Sequence, residues 1–93
     1  MKGKYKNITV TIEKYDEEHK ILLVEKQGAS IWMNLSLAGF ETDMQWFGIP
    51  THLGELEGKR GYIFENTIDD KSILDEAFKF IDTYNLDNIK CIK

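Results

Sequence analysis

Ile8-Thr-Val-Thr-Ile-Glu13 and Ile21-Leu-Leu-Val24 are the two runs on which the fold turns. In the first, Ile8, Val10 and Ile12 alternate with Thr9, Thr11 and Glu13, the period-two pattern of a strand with one apolar face. The expected strand spans residues 5–15, and the acidic triplet Asp16-Glu17-Glu18 closes it as a turn. The second run is apolar at consecutive positions, so its strand, 20–25, buries both faces and belongs in the middle of a sheet.

Working outward from this pair, Gln27-Gly28-Ala29 predicts another turn. Ile31, Met33, Leu35 and Leu37 then alternate with Trp32, Asn34 and Ser36, giving a third strand and an N-terminal antiparallel meander. Gly39, Gly48 and Pro50 interrupt the next stretch of chain, so a short or bent strand is expected near 43–47 and then a loop. Residues 53–57 and 62–66 flank Gly58-Lys59-Arg60-Gly61, the pattern of a second hairpin.

The C-terminal third changes period. Ile73, Leu74, Ala77, Phe78, Ile81 and Tyr84 recur at spacings of three and four, which makes one apolar stripe on a helix of about 69–84. Thr67, Asp69 or Asp70 can cap it, and acids in the first turn suit the positive end of the helix dipole. Asp75 and Lys79 are spaced for an outer-face pair, and Asn85 suits the C-cap. Residues 89–92 read as a short final strand, which a right-handed crossover would set parallel to 62–66. The expected fold is α+β: a mostly antiparallel sheet of about five or six strands, one face covered by a single amphipathic helix. At 93 residues this is one domain, 1–93.

Composition removes several function classes. The net charge is −4, unevenly placed: residues 1–47 hold six Lys against seven acids, residues 48–93 six Lys+Arg against nine. Duplex nucleic acid is therefore an unfavoured partner, because it demands a basic face that releases counterions. A single cysteine, Cys91, permits no internal disulfide and no zinc knuckle. No apolar run reaches the length of a membrane span, and Met1–Asn7 lacks the apolar segment of a signal peptide, so a cytoplasmic protein is expected.

Residues that carry chemistry are few. His19 follows three acids at a hairpin tip, where a solvated turn explains the cluster more simply than a metal does. His52 lies in the irregular loop near Glu55 and Glu57. No serine stands in a nucleophile elbow, and Cys91 in a terminal strand reads as a small buried residue. Lys59 and Arg60 offer two cations to a phosphate, but they lack the strand–loop–helix setting of a P-loop. No catalytic pair, metal set or cofactor motif emerges, and a non-enzyme is expected.

Aromatic residues offer more. Trp32 falls out of phase with its apolar neighbours. Tyr5 and Tyr15 fall opposite Ile8, Val10 and Ile12, beside Lys4, Lys6 and Lys14. Such a face would anchor a protein partner, since Trp and Tyr dominate interface hot spots, or stack single-stranded bases. Burial of Trp32 under the Phe40–Pro50 loop is the plainer account. Met44–Pro50, with Trp46, either plugs the core or meets a partner, because an apolar patch of that size would otherwise aggregate.

The expected function is a non-enzymatic module that blocks or sequesters a protein partner. Size and composition alone place it beside toxin-immunity proteins and virus-encoded inhibitors of host defence, an analogy of class and not of kinship. One alternative is a homo-oligomer that sequesters a nucleotide-like ligand, with Trp32 or Trp46 stacking and Lys59-Arg60 on phosphate. The other is single-strand nucleic-acid binding on the Tyr5/Tyr15/Trp32 face.

Overall fold

The computed structural model describes residues 1–30 and 49–86. Strands β1 (Lys2–Tyr5), β2 (Ile8–Lys14), β3 (His19–Lys26), β4 (Ala29–Ser30), β5 (His52–Leu56) and β6 (Lys59–Glu65) precede helix α1 (Asp70–Thr83). They form an antiparallel sheet in the order β1-β2-β3-β6-β5, with β4 added to the end of β3. The α+β architecture with one C-terminal helix is thus present. The expected strand at 31–37, the segment 43–47, the final strand at 89–92, Trp32, Trp46 and Cys91 lie outside the described residues.

Two expectations about the hairpins are corrected. The strand expected over 5–15 is two strands: the chain reverses at Lys6-Asn7, where Lys6 takes a left-handed φ of 57°. The second hairpin turns at Glu57-Gly58 (φ 53° and 82°), so Lys59 and Arg60 lie inside β6 and not in the loop. Positive φ at both central positions suits the twist of paired strands, and Gln27-Gly28 (φ 56° and 81°) uses the same device. β6 pairs antiparallel with β3 through Tyr62–Glu65 and with β5 through Lys59–Ile63, whereas the crossover expected to reach 89–92 lies outside the described residues.

The sheet is apolar on both sides. Ile8, Val10, Ile12, Leu22, Val24, Tyr62 and Phe64 meet Ile73, Ala77 and Ile81 of α1, with Leu86 sealing the end. Ile49 and Leu53 pack against the margin of this core. On the opposite side Ile21, Leu23 and Ile63 form a smaller buried cluster with Leu56 against it. Alternation along β3 and β6 explains the division: successive side chains point to opposite faces, and both strands are apolar throughout their centres.

Helix α1 starts where Asp69 accepts from the Ser72 backbone N–H (3.1 Å) and hydroxyl (2.7 Å). These bonds hold the Asp69 carboxyl below its usual range, the Ser72 hydroxyl contributing most. At the other end the C-cap is Tyr84, and Asn85 occupies the left-handed position after it (φ 52°). Lys79 pairs with Glu76 (3.5 Å) rather than with Asp75.

Tyr62 stands under α1 with 1% of its surface exposed, and burial pushes its phenol far above the ordinary value of 10.0. The folded state therefore keeps a proton that the unfolded chain releases. Stability from this group is complete below pH 10 and declines as pH rises, by roughly 1.4 kcal/mol per pH unit. Tyr62→Phe should remove that component. Denaturation at pH 9 and pH 11.5 should show the wild type losing more stability across the interval than the variant; equal losses would refute the assignment.

Candidate recognition surface

The tip of the β2–β3 hairpin is organised by one carboxylate. Asp16 Oδ1 accepts from the backbone N–H of Glu18 (2.8 Å) and of His19 (2.7 Å), and it meets His19 Nδ1 at 2.9 Å. The Glu18 N–H, then the His19 ring, hold the Asp16 carboxyl below its usual range. Backbone bonds from Tyr15 and Asp16 to the His19 carbonyl close the turn. The Asn66 N–H donates to the Glu18 carbonyl (3.0 Å) and its side chain to that of Glu17 (3.1 Å), tying the tip to the end of β6.

This fixed tip delivers His19 to the sheet face away from the helix, in the same alternation as Ile21 and Leu23. His52 opens β5 opposite Ile63, a residue of that face. The two imidazoles approach to 6.0 Å between centroids, edge to face at 75°. Tyr15 lies on the same face. It is 37% exposed, and its hydroxyl reaches within 3.6 Å of where a Cβ on Gly54 would stand. The missing side chain at Gly54 also leaves room for Ile63 to lie over β5. Beside the rings, Glu17, Glu18, His19, Glu65, Asn66 and Thr67 line an open cleft of about 390 Å³.

Sequence reading singled out His19 and His52 separately and did not bring them together. They are distant in the chain and join only because β6 lies between β3 and β5 with matching register. An aromatic at the end of β2, in phase with Thr9, Thr11 and Glu13, was the legible part of the site.

Tyr5 is not on this face. The reversal at Lys6-Asn7 pairs Tyr5 with Ile8, and cross-strand partners share a face, so Tyr5 lies on the helix side. It stacks on Phe78 at 4.9 Å, and its hydroxyl donates to Asp82 Oδ2 (2.8 Å). Asp82 also receives Lys6 Nζ at 2.9 Å, and Lys6, then Tyr5, lower its carboxyl pKa. The expected Tyr5/Tyr15/Trp32 surface accordingly loses one of its rings to the core margin. Lys59 and Arg60 also diverge, since neighbours in a strand point to opposite faces. Lys59 pairs with Glu25 (3.2 Å) and Arg60 lies 3.8 Å from Glu55, so the two do not converge on one phosphate.

Among the described residues no group of three or more His, Cys, Asp or Glu is placed to hold a metal ion, and no helix is long and apolar enough to cross a membrane. Comparison with protein-family models, curated proteins and solved structures gives no match.

Proposed function

We propose that this chain is a non-enzymatic cytoplasmic binding module that blocks or sequesters a basic protein partner through the Tyr15/His19/His52 cluster. The reading rests on one observation: His19 and His52 meet on the sheet face away from α1, with the Tyr15 hydroxyl beside Gly54 on that same face, and Asp16, Glu17, Glu18 and Glu65 stand next to His19. A tyrosine face attracts a guanidinium, and acids around it steer a cationic surface into contact. The same acids repel a phosphate backbone, which disfavours the nucleic-acid alternative.

A hot-spot aromatic of this kind carries ~2 kcal/mol or more, about a thirtyfold loss of affinity on truncation. Wild-type protein immobilised at micromolar density in lysate of its native host should retain a basic protein. Retention should weaken with added salt and fail in the Tyr15→Ala/His52→Ala double variant. If nothing is retained, or the variant retains the same protein equally, the proposal is wrong.

A further inference from the structure

We propose that the His19/His52 pair is a pH gate on this surface, so that protonation of the two imidazoles releases a docked cationic partner. The gate rests on the reading of this face as a docking site for a basic protein. Histidine is the side chain that ordinarily gains its charge roughly between pH 8 and pH 5. The chain has two histidines, and both stand here with 6.0 Å between ring centroids.

Asp16 couples the first proton to the surface. The neutral His19 ring donates its Nδ1–H to the carboxylate, whose oxygens stand 2.9 and 3.2 Å away, and leaves the negative charge of Asp16 open to a partner. A protonated ring makes an ion pair with the same carboxylate and cancels that charge. His52 adds a second positive charge beside it. The groups around the pair are otherwise acidic. Glu65 of β6 is the cross-strand partner of His19, Glu17 and Glu18 line the same cleft, and Glu13 precedes Tyr15 on the same face of β2. On that face β5 contributes Gly54 and Leu56, which carry no charge. Lys14 pairs with Glu17 (3.4 Å), and Lys20 with Asp70 on the helix side. Asp16, Glu17, Glu18 and Glu65 attract a cation, and two protons offset half of their charge.

The test is the affinity of the full chain for a fluorescein-labelled hexa-arginine peptide at pH 7.5 and pH 5.5, with ionic strength held constant. In water a unit charge about 6 Å from a docked cation shifts the equilibrium about threefold, so two protons should weaken binding about tenfold at the lower pH. His19→Asn, which keeps a donor where Nδ1 stands, and His52→Gln should each shrink that change to about threefold. The double variant should bind nearly alike at both pH values. Equal wild-type affinity at both pH values, or a double variant that weakens as much as the wild type, would overturn the gate and leave the docking site standing. Absence of wild-type binding at both pH values would remove the docking reading and the gate with it.

Discussion

Phe64→Ala is expected to lose about 3–5 kcal/mol of stability, the range for deleting a buried ring and leaving a cavity. Phe64 is 1% exposed at the centre of β6 and belongs to the core beneath α1. That strand lies between β3 and β5, and it bears Tyr62 on the same face, so the surroundings have little freedom to collapse into the void. A domain of this size holds only about 5–15 kcal/mol in total, so the variant should be partly unfolded at physiological temperature. Phe64→Leu, which keeps most of the volume, should cost markedly less. Urea denaturation of the three proteins decides the matter. A loss under 1.5 kcal/mol or so for Phe64→Ala would mean the core is not built around this ring.

Gly61→Ala should be the most damaging small substitution in the sheet, at about 2–3 kcal/mol. A Cβ there would collide with the Leu22 backbone carbonyl, and it would also stand 2.9 Å from Leu23 Cδ2 and 3.1 Å from Ile21 Cγ1. Two effects compete. Alanine restricts the unfolded chain and gains roughly 0.5–1 kcal/mol over glycine in a strand interior. The collision outweighs it, because the carbonyl belongs to the backbone of the central strand β3 and has no rotamer to change. Gly54, the cross-strand partner of Gly61, supplies the control. A Cβ at Gly54 meets side-chain atoms of Ile63, Cδ1 and Cγ1, and not a backbone carbonyl, so Gly54→Ala should cost less than Gly61→Ala. The reverse order in chemical denaturation would show that the β3–β6 approach is looser than described.

The two glycines illustrate why part of the fold was hidden in the sequence. Gly58-Lys59-Arg60-Gly61 reads as a turn because glycine most often supplies positive φ. Gly58 does so, at φ 82°, whereas Gly61 is a strand residue whose role is to let two strands close up. Composition cannot tell one use of glycine from the other, because the difference lies in what stands across the strand. Tyr5 is the parallel case. Counting by twos from Ile8 is sound within a strand, but a two-residue reversal resets the phase, and neither Lys6 nor Asn7 announces it as an Asn-Gly pair would.

The sequence alone was sufficient for the helix and the central strands, because those depend on periodicities that a chain carries locally. Three- and four-residue spacing from Ile73 to Tyr84 allows only one apolar stripe, and the run Ile21–Val24 has no face to offer water. The candidate site is of the other kind. His19 and His52 become neighbours through strand order and register, set by which strands the two apolar faces allow beside β3. Local periodicity says which side a residue faces within its own strand. Only the tertiary structure decides what stands across from it, because that partner comes from elsewhere in the chain.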